Sequence, residues 1–348
     1  MKILKKNYIS LILLGIIFPL SFILSISLGS VGVPFKNTIQ ILLTKIFDYG
    51  MINIHEVQTD IVLKIRVPRV FLGMIVGASL SISGLVFQAL LKNPLADPYT
   101  LGISAGASFG AGLSIFLSYI LGAYFKTLLP VFAFLGALST VFLVYFLAST
   151  KGRVQVLTII LSGVVVSYLF SSGLVLLMSL LGDRSHEVIY WLMGSLAGYH
   201  RFLIPAAVIN CILIVFTFSF FRDFDLMSLG DDQAKSLGVN TEFIRILLLS
   251  STSLMTAISV SLTGTIGFVG LIVPHSMRLL FGPRHKTLIP ASVIAGASFL
   301  PLSDTLARTL PGLLFQTGME IPVGVITSIF GSPFFIFLLI HGKKRYWF

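Results

Sequence analysis

RVPRVFLGMIVGASLSISGLVFQALLKNPLADPYTLGISAGA, residues 66–107, sets Arg66 and Arg69 around a proline and then runs into an apolar segment long enough to cross a bilayer. That segment is laced with Gly73, Gly77, Ala78, Ser79, Ser81, Ser83 and Gly84, which let a neighbouring helix approach closely. It ends in a polar turn whose structural residues are Asn93, Pro94, Leu95, Ala96 and Pro98, and a second apolar run follows at once. Asp97-Pro98 fits a helix start, with acid and proline in the first turn. Two crossings joined by a rigid capped turn suit a transport scaffold better than a simple anchor.

Outside this stretch the same texture continues. Of 348 residues, 56% are hydrophobic and 11% charged, and the mean hydropathy is +0.99. A soluble chain carries about a quarter charged residues, so the reading is an integral membrane protein, one polytopic transmembrane domain over 1–348. The pattern predicts an all-α, polytopic fold of about ten helices: near Ile9–Leu28, Val67–Leu91, Pro98–Leu117, Leu128–Ala148, Val156–Leu181, Phe202–Phe221, Phe243–Leu262, Phe268–Phe281, Leu288–Leu306 and Ile321–Ile340. The first run exceeds the roughly 7–15 residues of a signal-peptide core; it reads as a retained helix, with Lys2, Lys5 and Lys6 holding the N-terminus in the cytoplasm. Residues 29–64, with Asp48, Glu56 and Asp60, read as an outer loop carrying a short surface helix. Residues 182–201, with Tyr190, Trp191 and Tyr199, read as an outer interfacial belt.

The net charge of +11 does not indicate nucleic acid, because Lys and Arg gather at the ends of apolar runs. Lys92, Lys151-Gly152-Arg153, the turn around Arg284 and Lys343-Lys344-Arg345 fall on one side, which places both termini in the cytoplasm. The single cysteine, Cys211, excludes a disulfide framework or a cysteine metal site and is expected to be buried and inert. The pentapeptide AGASF recurs at Ala105–Phe109 and Ala295–Phe299. It reads either as an internal repeat or as coincidence among small residues.

No phosphate-binding G-x-x-x-x-G-K-[ST] loop occurs, so this chain is not expected to hydrolyse nucleotide. His55-Glu56 and His186-Glu187 lack the second histidine of a zinc-protease motif, and no metal site is expected. The helix centres carry almost no ionisable groups, which disfavours an ion-coupled secondary transporter, the competing class. Arg278 and Asp304 are expected at interfaces. Arg66, Arg69 and Arg308 fall outside, where arginine is less usual. They read either as cations that dock an acidic partner or as helix ends pairing with Asp60 and Asp304. The polar interior segment 222–242 contains Leu229, Gly230, Asp231, Ala234, Leu237, Gly238 and Val239, a short acid-capped helix with Ala234 and Leu237 on one side. It is either a groove-fitting partner helix or a solvated loop helix.

At these residues the sequence resembles the FecCD family of permease subunits of bacterial ABC importers. The matching patterns are R-x-P-R, NPLA-x-P-x-x-LG, L-G-[DE]-x-x-A-x-x-LG-V, G-F-x-G-L-x-x-PH-x-x-R and EIPVGVITSIFGSPFF, in that order from Arg66 to the C-terminus. The resemblance implies an ABC importer type II permease fold in the bacterial inner membrane, importing a ferric siderophore, haem or vitamin B12. It implies a homodimer or a heterodimer with a sister permease, two cytoplasmic ATPase subunits and an extracytoplasmic binding protein. No cofactor is expected on this chain, ATP being used by the partner. It assigns Arg66, Arg69 and Arg308 to binding-protein docking and Gly230–Val239 to coupling with the ATPase. Ser162 and Ser167 are the residues expected on the translocation path.

Overall fold

Small residues decide what surrounds the second apolar segment. The structure, a computed structural model, describes residues 2–47, 56–150, 153–154, 156–198, 200–315 and 318–341. The expectations placed on Asp48, His55, Lys151-Gly152, Tyr199 and Lys343-Lys344-Arg345 lie outside the described residues. In chain order the helices are α1 Lys2–Ser27, α2 Phe35–Phe47, α3 Glu56–Leu90, α4 Ile103–Leu121, α5 Leu129–Ala148, α6 Val156–Leu181 and α7 Ser185–Leu192. There follow α8 Leu203–Ser219, α9 Phe221–Met227, α10 Asp231–Ser236, α11 Thr241–Thr263, α12 Val269–Phe281, α13 His285–Phe315 and α14 Val323–His341. Each of the ten apolar segments read from the sequence is helical. Among the described residues six helices are long and apolar enough to cross a membrane, α8 and α9 form one bent pair, and three further apolar helices are shorter. A minimal antiparallel ladder, Ser149–Thr150 with Arg153–Val154, closes the turn between α5 and α6.

α3 is the buried centre, with α11, α12, α13 and α8 around it. It crosses α13 at a glycine pair. A Cβ on Gly77 would lie 2.2 Å from the Gly296 carbonyl oxygen, and one on Gly296 would lie 2.3 Å from that of Gly77. It meets α12 more tightly still, with Gly84 against Gly270 at 1.9 Å by the same measure. α4 and α5 repeat the device at Gly106 and Gly136. Both copies of AGASF therefore set their glycine at a helix crossing, a shared packing role that small-residue seams in membranes favour.

Several boundaries differ from the expected ones for physical reasons. α3 begins well before Val67, and a π-helical turn at Ile61–Arg66 widens the helix just ahead of Pro68, which has no N–H to offer. α13 has 31 residues and runs beyond the segment expected at Leu288–Leu306. α12, by contrast, keeps the bounds expected at Phe268–Phe281 to within one residue, and its ~20 Å of helix is shorter than the roughly 30 Å of a bilayer core. It starts inside the bundle, where the Gln88 side-chain amide donates to the Gly270 carbonyl at 3.1 Å. The preceding loop, Gly264–Phe268, is thus non-helical backbone within the bundle, an arrangement membranes tolerate where it is enclosed by protein or lines a cavity.

Polar bridges define two ends of the bundle. At one end, Asp231 of α10 meets Lys92 and Arg245, and Asp225 of α9 meets His285 at 2.7 Å. At the other, Arg69 meets Asp304 and Glu320, and Ser30 meets Glu320. Cys211 is exposed on α8, so the expected burial does not hold. It lies on an outward-facing side of an apolar helix.

Candidate functional site

The segment between α8 and α11 folds as two short helices and stops where its glycines stand. Gly230 (φ 124°) and Gly238 (φ 88°) adopt left-handed backbone before and after α10, which a side chain would resist. Ala234, within the bracket, is fully buried and Val239, just past it, nearly so, while Leu229, just before it, and Leu237, at the end of α10, are 58% and 59% exposed. Ala234 and Leu237 therefore do not share a side as expected: Ala234 anchors the helix and the two leucines project from it. Asp231 fixes the N-terminus, accepting from Arg245 Nη2 at 2.6 Å and Lys92 Nζ at 3.0 Å. Partial burial of that carboxyl works to raise its pKa, but the hydrogen bonds and charges of Arg245 and Lys92 outweigh it and hold the pKa below the usual range.

Lys92 opens the polar turn, which is held by its own side chains. Asn93 Oδ1 accepts from Leu95 N at 2.9 Å, and Asp97 Oδ1 accepts from Tyr99 N at 2.9 Å. Asp97 N–H is in turn satisfied by Thr100 Oγ1 at 3.0 Å, completing a capping box. Ala96 and Pro98 are buried, whereas Asn93 and Leu95 face outward. Burial pushes the Asp97 carboxyl up to about 6, against the opposing pull of the Tyr99 N–H. The Tyr99 hydroxyl donates to the Ile266 carbonyl at 3.0 Å and accepts from the Ile266 N–H at 3.2 Å. The turn is thereby pinned to the Gly264–Phe268 loop.

That loop lines two cavities. One, of about 710 Å³, lies between it, the end of α7 and α14, with Thr265, Gly267, Met193, Ser328 and Ser332 in its wall. The other, of about 360 Å³, is lined by Tyr99, Ser104, Ser108, Ser171, Thr265 and Gly267. Hydroxyls and apolar groups make up both walls, and among the described residues no charged side chain lines either. Ser162 and Ser167 line neither cavity: Ser162 is buried, and Ser167 bonds to Gly163 O at 2.6 Å and abuts Gly102. The neighbouring Ser171, one helical turn further along α6, supplies the hydroxyl.

At the opposite end the three arginines turn inward. Arg66, Arg69 and Arg308 are 3%, 5% and 3% exposed, and Asp304 is 2% exposed. Asp304 receives both Nε and Nη2 of Arg69 at 2.9 Å and Arg308 Nε at 3.0 Å. Arg69 Nη1 reaches Glu320 at 2.8 Å. Arg66 is capped by the carbonyls of Ile26, Ser27 and Val31 at the end of α1, and Arg308 by that of Ser25. Of the two readings held for these arginines, the pairing with Asp304 is the one seen for Arg69 and Arg308, while Arg66 is held by backbone carbonyls. Asp304 is buried within the chain, and Asp60 pairs with Lys64 rather than with an arginine. Arg278 is half-buried.

Sequence reasoning did not single out Tyr99, Arg245, Glu320 or the Asp225–His285 pair. A signal existed for Tyr99, an aromatic directly behind an Asp-Pro cap, and for Arg245, a cation one turn inside an apolar helix. Nothing local marks Glu320, whose partner Arg69 lies far away in the chain.

The FecCD transport family model matches residues 14–341. An uncharacterized ABC transporter permease protein of Bacillus subtilis strain 168, YvrB, is 38% identical over 347 residues, covering 98% of this chain and 96% of its own length. The cobalamin import system permease protein BtuC of Halobacterium salinarum is 39% identical over 294 residues, covering 83% of this chain and 76% of its own. Among solved structures, an inward-facing ABC transporter assigned to the metal-chelate type superposes with a TM-score of 0.78 at 28% identity, covering 96% of this chain and 99% of its own. The all-α bundle, the capped turn and the bracketed helix α10 all fall within the matched residues, and the chain belongs to the FecCD transport family as a membrane-spanning permease of the ABC importer type.

Proposed function

We propose that this chain carries a bulky metal chelate of the ferric-siderophore, haem or corrinoid class across the bacterial cytoplasmic membrane, as one permease of an assembly driven by ATP. The observation that supports this best is α10, a helix fixed by Asp231 and Ala234 and flanked by the exposed Leu229 and Leu237. A rigid helix presenting two leucines fits an apolar groove on a soluble partner. That partner is an ATP-binding subunit, two per assembly, and ATP is bound and hydrolysed there. This chain contributes no catalytic residue and carries no cofactor. Both termini lie in the cytoplasm with α10. The exposed apolar faces of α6 (Val165, Tyr168, Leu169) and α14 (Ile329, Phe330), next to the cavities, suit a second permease, either another copy or a sister chain. A neutral hydroxyl-lined wall suits a large chelate delivered by an extracytoplasmic binding protein. Docking of such a protein on Arg66, Arg69 and Arg308 requires its carboxylate to displace Glu320 from Arg69.

Replacing Leu229 and Leu237 together by Glu tests the assignment. We expect the tagged permease to remain folded and to lose the co-purifying ATPase, with capture falling about 10-fold or more, as for loss of paired apolar anchors. Undiminished capture would show that α10 is only a loop helix.

A further inference from the structure

We infer that Tyr99 is a positioning residue that ties the Gly264–Phe268 loop, and with it the cavity wall, to the α10 end of the chain. The inference rests on the reading of α10 as the ATPase-facing helix and adds the route by which its displacement reaches the cargo.

The connection is continuous and polar at each joint. Asp231 at the start of α10 holds Lys92. Lys92 begins a turn stiffened by the Asn93 and Asp97 side chains, and that turn delivers Tyr99 with its own N–H held by Asp97. Tyr99 then grips both the N–H and the carbonyl of Ile266 through a single hydroxyl. Ile266 lies between Thr265 and Gly267, which line both cavities. A hydroxyl bonded to both peptide groups of one residue fixes the height and the tilt of that segment.

The far end of the loop is poised to move. Phe268 has φ 68°, the left-handed region that a bulky side chain rarely adopts. Its ring lies directly on α14, so that a Cβ on Gly331 would come within 2.3 Å of it. Backbone strain of this kind persists only where the surroundings enforce it, and it accumulates at switching segments. Gly264, at the other end, is also left-handed at φ 70°. The loop is therefore a short lever, strained at Phe268 against α14 and gripped in its middle by Tyr99. Thr265 joins it to α7 through a hydrogen bond to the Leu192 carbonyl. Spatial continuity alone does not demonstrate coupling; an element that moves between two positions in response to one site does.

Gly267 offers a reporter, because a Cβ there meets nothing within 4 Å. In a Cys211→Ser background, Gly267→Cys is placed in the complete permease–ATPase assembly, in membranes, and labelled with a maleimide with and without ATP and vanadate. With Tyr99 present, nucleotide trapping is expected to change the labelling rate about fivefold, the lower range of an ordinary coupling between sites. In Tyr99→Phe the change is expected to vanish while the melting temperature and the amount of co-purified ATPase stay as they were. Lys92→Met should reproduce that loss, and the double variant should add nothing to it. An equal response with and without the Tyr99→Phe substitution would overturn the role of Tyr99. So would a loss of response accompanied by a lowered melting temperature, which marks a structural contact only. No response in either, with ATPase active, would overturn the loop as the moving element yet leave the permease reading standing. An assembly from which no ATPase is recovered would instead sink that reading.

Discussion

Asp304→Asn is expected to be the most damaging single substitution in the chain. It leaves Arg69 and Arg308, both nearly inaccessible, facing each other without the carboxylate that separates them. Removing one member of a buried ion pair costs about 3–5 kcal/mol, because the surviving charge is stranded where water cannot reach it. Glu320 remains to Arg69 but is a third exposed and reaches only Nη1, so it offsets little. The variant should show a strongly lowered melting temperature in mild detergent, followed by fluorescence-detected gel filtration. Replacing the whole set, Arg69→Met with Asp304→Leu and Arg308→Met, should be less destabilising than Asp304→Asn alone, since no buried arginine is then stranded by the loss of Asp304 and the released Glu320 is a third exposed. The two melts decide whether this cluster acts as a closed electrostatic unit.

Gly84→Ala should be the next most damaging, against the ordinary propensity of the residues. In an unobstructed helix alanine is more favourable than glycine by about 1 kcal/mol. Here the added methyl would lie 1.9 Å from the Gly270 carbonyl oxygen, with Gly270 Cα at 2.5 Å. Both obstacles are backbone, so α12 must move away from α3, and overpacking of this type costs about 1–3 kcal/mol or more. The start of α12 carries the cavity loop, so activity should fall further than stability. Gly15→Ala, where a Cβ meets nothing within 4 Å, should be neutral or slightly stabilising under the same assay.

What the sequence disclosed and what it concealed divides along physical lines. Segments buried or bathed in lipid announce themselves by hydropathy, and each of the ten apolar runs is helical in the structure. The Asn93–Pro98 turn was legible because proline, Asn and Asp act on backbone within a few residues of themselves. The bracket of glycines around α10 was legible for the same reason. Contacts between distant segments left no such mark. For Arg66, Arg69 and Arg308 the sequence left docking and pairing with Asp60 or Asp304 both open, and Glu320 and the carbonyls closing α1 went unseen because they lie far off in the chain or carry no side chain at all. Ser162 and Ser167 were read by residue type on α6, and of the three serines it is Ser171 whose place on the helix sets it against the smaller cavity. The length of α12 was legible, Phe268–Phe281 against Val269–Phe281, but its start inside the bundle was not, because an apolar run looks the same whether it starts at the membrane face or inside.

The most direct test of the central claim is uptake by the purified assembly in proteoliposomes. The tagged chain is isolated from its native membranes with its partners, reconstituted, and supplied with its binding protein holding the chelate with which it was recovered. Accumulation that starts with ATP and stops when the ATPase is inhibited by vanadate is the predicted result. Accumulation driven by a proton or sodium gradient without ATP would contradict it and make this chain a secondary transporter.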